Sequence, residues 1–211
     1  MTENDIGQCK DALRREMFRR RAEASEAASR EAPADLAQRV LAHLEAVGVA
    51  VAGWVTSAFL PIRTEIETRP TIAALHEAGL AIALPTIEGD DPDLVFRSYT
   101  PGDALVKGAF DVEEPMTAQP VVQPRTLLVP LLAFDAQGYR LGYGGGYYDR
   151  AIARLSQGGP VATVGLAYDA QEVDDVPREA HDLALDAIVT PTRTLLCNDG
   201  TPLQSRVERS V

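Results

Sequence analysis

The chain has 211 residues, of which 45% are hydrophobic and 24% charged, with a formal net charge of −11. That balance fits a folded globular chain, read as one domain over 1–211, and the acidic excess argues against nucleic acid or an anionic membrane as partner. No apolar run approaches the ~20 residues that span a bilayer, the N-terminus is too charged for a secretory signal, and two cysteines without metal-ligand spacing suggest a reduced, cytoplasmic protein, expected to be a monomer.

Residues 9–24 read as an amphipathic helix with Leu13 and Met17 on one face, while Lys10 and Arg14 share the i, i+4 spacing on another, able to reach one point. Arginines 14, 15, 19, 20 and 21 crowd the same segment. Residues 33–48 form a second helix, opened by Pro33 and stopped by Gly48. The run VAVAGWVTSAF, 49–59, reads as a buried strand. TIAALHEAG, 71–79, is a helix with Thr68 as candidate cap, Pro70 in its first turn and Gly79 at its end. LAIALPTI and LVFRSY are strands, 80–87 and 94–99. A looser stretch runs to 124. TLLVPLLAF, 126–134, is an apolar strand leading into LGYGGGYYDR, after which Tyr147 to Leu155 continue as a helix. PVATVGLAYD and LALDAIVTPT supply two more strands. Strands alternating with helices and apolar on both faces predict an α/β fold: a mostly parallel sheet with helices on each side, in three α/β/α layers.

The glycine cluster, at 142, 144, 145 and 146, follows a strand and precedes a helix, the edge at which such sheets bind ligands. Glycines there tolerate positive φ and bring bare amides close to a ligand, and a helix N-terminus after them attracts phosphate. The spacing is neither that of a P-loop nor of a dinucleotide fingerprint, so glycine content alone is also compatible with a tight turn. Arg140 and Arg150 flank the loop. Asp149 lies in the first helical turn, as a dipole partner or as an oxygen ligand for Mg²⁺. Tyr147 and Tyr148 suit packing, or stacking on a heteroaromatic ligand.

The segment VPLLAFDAQGYRLGYGGGYYDR, 129–150, resembles the signature of the 5-formyltetrahydrofolate cyclo-ligase (5,10-methenyltetrahydrofolate synthetase) family. KDALR at 10–14 is similar to that family's N-terminal K-x-x-L-R. LPIRTEIET at 60–68, LVFRSYTPGDALVKGAFDVEEP from 94 and VGLAYDAQEVDDVPREAHDLALDAIVT from 164 are similar to three further blocks, in order, over about 10–190. Residues 191–211 extend past the resemblance.

The resemblance implies an enzyme using ATP and Mg²⁺ to turn 5-formyltetrahydrofolate into 5,10-methenyltetrahydrofolate, releasing ADP and phosphate. Lys10, Arg14 and Arg140 become the catalytic cations. ATP falls to Lys10, Asp11, Ala12, Leu13, Arg14 and the run Arg140, Leu141, Gly142, Tyr143, Gly144, Gly145, Gly146, Tyr147 and Tyr148. Folate falls to Leu60, Glu65, Tyr143, Gly144, Gly145, Gly146 and Tyr147, and the metal to Asp149 and Asp186. Read from the residues alone, Thr64 and Glu67 fit a capping box, which would give this acidic segment a structural use. Asp182 and Asp186, four apart in a strand-like stretch, face the same way, Asp182 in either a structural or a metal role. Some relatives carry arginine and lysine where this chain has Tyr143 and Gly145, and Asp111 stands where glycine is expected. The contrasting reading is a homologue that binds nucleotide or folate without turnover.

Overall fold

The computed structural model describes residues 3–50, 53–88, 93–108, 111–179 and 182–197. Its centre is a seven-stranded sheet in the order β11-β10-β9-β6-β1-β2-β3. The strands are β1 (Val55–Ser57), β2 (Ala81–Ile87), β3 (Leu94–Tyr99), β6 (Thr126–Pro130), β9 (Ala162–Leu166), β10 (Ala187–Val189) and β11 (Thr194–Leu196). The inner pairs are parallel, and β3 and β11 close the two edges antiparallel. Every residue of β9 and β10 is buried, as expected of strands covered on both faces.

Helices α2 (Ala32–Ala46) and α3 (Arg69–Glu77) cover one face, burying Leu36, Val40, Leu44, Ile72 and Leu75 against Leu84, Leu128 and Val164. Helix α4 (Tyr147–Ser156) covers the other, placing Ala151, Ile152 and Leu155 on Leu127, Val129 and Ile188. The predicted three-layer α/β/α arrangement is present. Helix α1 (Glu3–Ala27) lies instead beyond the strand ends, where Met17 packs with Leu132, Ala133, Leu141 and Val176.

Several local expectations change. Among the described residues of the predicted 49–59 segment, regular strand covers Val55–Ser57. The strand predicted over 126–134 breaks after Pro130; Ala133–Phe134 (β7) turns back through Arg140–Leu141 (β8) before the glycine loop. Asp135 drives that reversal. Wholly buried, it accepts the amides of Gln137 and Tyr139 on Oδ1 and that of Val176 on Oδ2, all at 3.0 Å. Thr68 does not cap α3 through its side chain; its hydroxyl donates to the Phe59 carbonyl and cinches the 59–68 loop. The looser stretch holds a small hairpin of β4 (Leu105–Lys107) and β5 (Glu113–Pro115). Asp111 beside it has φ 63°, the left-handed conformation that explains the expectation of glycine there. Within the segment past 190, β11 joins the sheet; 198–211 lie outside the described residues.

Gly138, at the turn from β7 to β8, has φ 86°, and a Cβ there would lie 2.5 Å from the Cys197 Cβ and 2.7 Å from the Leu185 carbonyl oxygen. Gly138→Ala therefore combines backbone strain with a clash, and is expected to destabilise by about 2–4 kcal/mol. Chemical denaturation of both proteins measures it.

Candidate active site

Strand β1 leads through α3, on one face, to β2 on its one side. Strand β6, its neighbour, leads through α4, on the opposite face, to β9 on the other side. The connections diverge between β1 and β6, and such a switch point opens a crevice at the strand carboxyl ends. The segment after β1 carries Glu65, and the chain after β6 carries the glycine loop. They meet there: the Tyr143 hydroxyl donates to Glu65 Oε1 at 2.7 Å.

Glu65 is 7% exposed, and its Oε2 accepts the Ile62 amide at 2.8 Å across a turn in which Arg63 takes φ 56°. Burial pushes its pKa up, against the opposing pull of the Ile62 amide, the Tyr143 hydroxyl and the Arg21 charge. Burial also raises the Tyr143 phenol, reinforced by the Glu65 charge. The capping box expected of Thr64 and Glu67 does not form, although Glu67 does serve the start of the helix. Helix α3 begins at Arg69, and the Thr64 hydroxyl accepts from Arg21 Nε at 3.2 Å. Glu67 accepts the Arg69 amide at 2.9 Å, a structural role. Leu60 sits in the core cluster next to Phe59 and Ile66.

Each bend of the loop has a local cause. Gly144 has φ 100°, and a Cβ on it would stand 3.4 Å from the Arg14 guanidinium. Gly146, at φ 65°, starts α4 without a side-chain cap, and a Cβ on Gly145 would lie 2.6 Å from the Tyr147 ring. Arg14 Nε donates to the Gly142 carbonyl at 3.1 Å and its Nη1 reaches Asp11 at 2.5 Å, in register with exposed Ala12 and half-buried Leu13. Arg150 donates to the Gly145 carbonyl at 2.9 Å and lies over the Tyr147 ring. The Tyr148 hydroxyl is buried without a hydrogen-bond partner, and burial raises its pKa. Leu141 packs under α1.

Lys10 and Arg14 leave the same helix for different places. Arg14 meets the loop, whereas Lys10 Nζ bridges Glu179 Oε2 and Asp182 Oδ2, each at 2.7 Å. Burial disfavours the ammonium, but Asp182 and Glu179 outweigh it and hold its pKa above the ordinary lysine value. Asp182 thus makes a structural ion pair and also accepts the Glu179 amide. His181 lies outside the described residues.

The two carboxylates expected at a metal have separate partners. Asp149 Oδ1 accepts from Arg140 Nη2 at 2.7 Å, and Arg140 Nη1 donates to the Leu183 carbonyl. Asp186 Oδ2 accepts both the amide and hydroxyl of Thr163, at 2.8 Å each. Regular strand begins after it, at Ala187, so the alternation expected to align Asp182 with Asp186 does not operate. Among the described residues no group of three or more metal-capable side chains gathers.

A family model described as the 5-formyltetrahydrofolate cyclo-ligase family matches residues 6–191. This chain belongs to that family. A 5-formyltetrahydrofolate cyclo-ligase of Escherichia coli K12 is 36% identical over 140 residues, 64% of this chain and 76% of the relative. One of Mycolicibacterium smegmatis is 30% identical over 157 residues, 71% and 79% of the two chains. The solution structure of the Aquifex aeolicus 5,10-methenyltetrahydrofolate synthetase superposes with a TM-score of 0.71 at 30% identity, covering 90% of this chain and 94% of that one. The cyclo-ligase fold is therefore this chain's fold, and it is an enzyme of that class. No helix among the described residues is long and apolar enough to cross a membrane.

Neither Arg21 nor Phe18 belongs to the motifs that mark the site in the sequence. A signal was present: Leu13, Met17 and Arg21 repeat at i+4, as do Lys10, Arg14 and Phe18, so the buried stripe and the site-facing stripe both continue one turn further. Glu179, Lys10's partner, had no periodic signature.

Proposed function

We propose that this enzyme converts 5-formyltetrahydrofolate to 5,10-methenyltetrahydrofolate at the expense of ATP, which it cleaves to ADP and phosphate. The observation that carries the reading is the convergence of Glu65 and the glycine loop at the switch point between β1 and β6, joined by the Tyr143–Glu65 hydrogen bond. Glu65 accepts N–H donors of the pterin, with Leu60 and the loop residues Tyr143 to Tyr147 bordering the ring. A carboxylate suits adjacent donors because it accepts two charge-assisted bonds at once.

A formamide oxygen is a poor leaving group. Transfer of the γ-phosphoryl to it breaks the bond to ADP and makes an imidate-like phosphate ester. Attack by the second folate nitrogen on the formyl carbon then closes the five-membered ring, that nitrogen gives up its proton to solvent, and the C–O bond breaks with its electron pair to release phosphate. Such transfer depends on positioning and charge neutralisation. The uncapped α4 N-terminus, the amides around Gly144 to Gly146 and the cations Lys10, Arg14 and Arg140 offer both. Loop cations are few, so Lys10 and Arg14 from α1 carry much of that charge.

Mg²⁺ requires few protein ligands when phosphate oxygens complete its shell, and the half-buried Asp149 beside the loop fits that demand. The Thr163 hydrogen bonds of Asp186 fit a sheet anchor better than a metal ligand. Bound there, Mg²⁺ would neutralise phosphate charge. The free thiols of Cys9 and Cys197, the latter with its pKa pushed up to about 12 by burial, suit a reduced, cytoplasmic setting.

The test is purified protein with 5-formyltetrahydrofolate and MgATP, followed by the near-ultraviolet absorbance of methenyl product. ATP-dependent product is expected. Folate binding without ADP release would favour the non-catalytic alternative. The raised pKa of Glu65 adds a pH signature. Pterin recognition needs the carboxylate, so folate affinity is full above that pKa and falls as pH drops through it. Calorimetric titration over a pH series should show the fall in wild type and not in Glu65→Gln.

A further inference from the structure

Arg21 is 0% exposed, although a guanidinium carries five N–H donors that burial leaves in need of acceptors. Nε has one, the Thr64 hydroxyl at 3.2 Å. Among the described residues Nη1 and Nη2 make no well-formed hydrogen bond, and the Tyr143 phenol is a polar neighbour of the guanidinium. Glu65 Oε1 is 3.6 Å from Nη1, close enough for charge attraction and too far for a hydrogen bond. That oxygen accepts instead from Tyr143, whose ring centroid lies 5.4 Å from the Arg21 guanidinium carbon, with Phe18 at 5.8 Å.

A purely structural ion pair would bring the two groups into direct contact, because each unsatisfied buried donor is costly. Here the donors remain unsatisfied next to a carboxylate on the segment that follows β1 at the switch point, under a residue of the glycine loop. We propose, building on the folate reading above, that Arg21 is a ring-binding residue. Its Nη groups donate to the pterin carbonyl oxygen that adjoins the N–H donors accepted by Glu65. Tyr143 holds the Glu65 oxygen until the ring displaces it.

The chemistry of the pair supports this. Glu65 alone reads donors, and a donor fixed beside it reads the neighbouring acceptor as well. The pair thereby rejects rings whose donor and acceptor order differs, which a site of unpaired buried polar groups does strongly. The planar fork of arginine is suited to this; the single ammonium of lysine is not.

Calorimetry with 5-formyltetrahydrofolate and, separately, with MgATP tests the assignment on wild type, Arg21→Lys and Arg21→Met, after circular dichroism has established folding. Folate affinity is expected to fall at least about tenfold in both variants, with ATP affinity changed less than about twofold. Unchanged folate affinity in Arg21→Lys, or an equal loss for both ligands, overturns it. Where neither variant folds, a crystal structure of wild type with bound 5-formyltetrahydrofolate decides. Arg21 Nη within hydrogen-bond distance of a ring oxygen, with Tyr143 off Glu65, is expected; Arg21 still covered by Tyr143 overturns it. Wild type that binds no folate defeats the folate reading itself and this role with it. Folate turnover that is indifferent to Arg21 defeats only this role.

Discussion

Glu65→Gln is expected to lower kcat/KM for 5-formyltetrahydrofolate by about 100-fold or more and to cost roughly 3 kcal/mol of stability. The two losses have different origins. In the complex, an amide offers one acceptor and no charge where a carboxylate accepts two adjacent donors. In the free protein, the carboxylate is the charge nearest to Arg21, which is buried under Phe18 and Tyr143. Removing one member of a buried pair leaves the other uncompensated, which is why the stability term exceeds that of a surface pair. Steady-state kinetics and thermal unfolding separate them. Unaltered folate kinetics would remove Glu65 from the site, and an unaltered unfolding temperature would show that Arg21 does not depend on it.

Lys10→Ala is expected to reduce turnover by about two to three orders of magnitude while the fold survives. It does more than delete a cation. Glu179 and Asp182, each 2.7 Å from Nζ, lose the charge that neutralises both, and present negative charge toward incoming phosphate. Adding Asp182→Asn to Lys10→Ala should therefore recover part of the lost ATP affinity, although Asp182→Asn alone is not expected to improve wild type. ATP titrations of the four proteins measure the coupling. Independent, additive losses would contradict the proposed charge balance. Asp149→Asn is likewise expected to lower turnover without unfolding, because its pair with Arg140 is half-exposed on the Asp149 side.

The architecture was legible because its signals are local. Apolar runs such as LAIALPTI and LVFRSY have strand length, Gly48 and Gly79 end helices through positive φ, and Pro33 and Pro70 sit in first turns where no amide is lost. Two strands were misjudged for a physical reason. Hydrophobicity runs on past Ser57 and Pro130 because Ala58, Phe59 and Leu131 to Phe134 stay buried after the ladder ends, and hydropathy reports burial, not pairing. The β7–β8 reversal rests on one buried aspartate accepting three amides, which has no periodicity to detect.

By itself the sequence determined the family, through five ordered blocks of residue types, and the α/β/α class, through the alternation of periods. It also marked Glu65, Arg14 and the glycine loop as residues of one chemistry. Only the tertiary structure decided who meets whom. It set Arg14 on the loop but Lys10 between two carboxylates, gave Asp149 to Arg140 and Asp186 to Thr163, and drew Arg21 under Tyr143 beside Glu65. Most of those pairings join residues far apart in the chain, 128 positions for Arg14 and Gly142 and 172 for Lys10 and Asp182, and even Arg140 and Asp149, nine apart, lie on either side of the loop. Side-chain identity fixes the chemistry that a residue can do, but its partner depends on where the sheet order brings distant loops together, and that order is a property of the whole core.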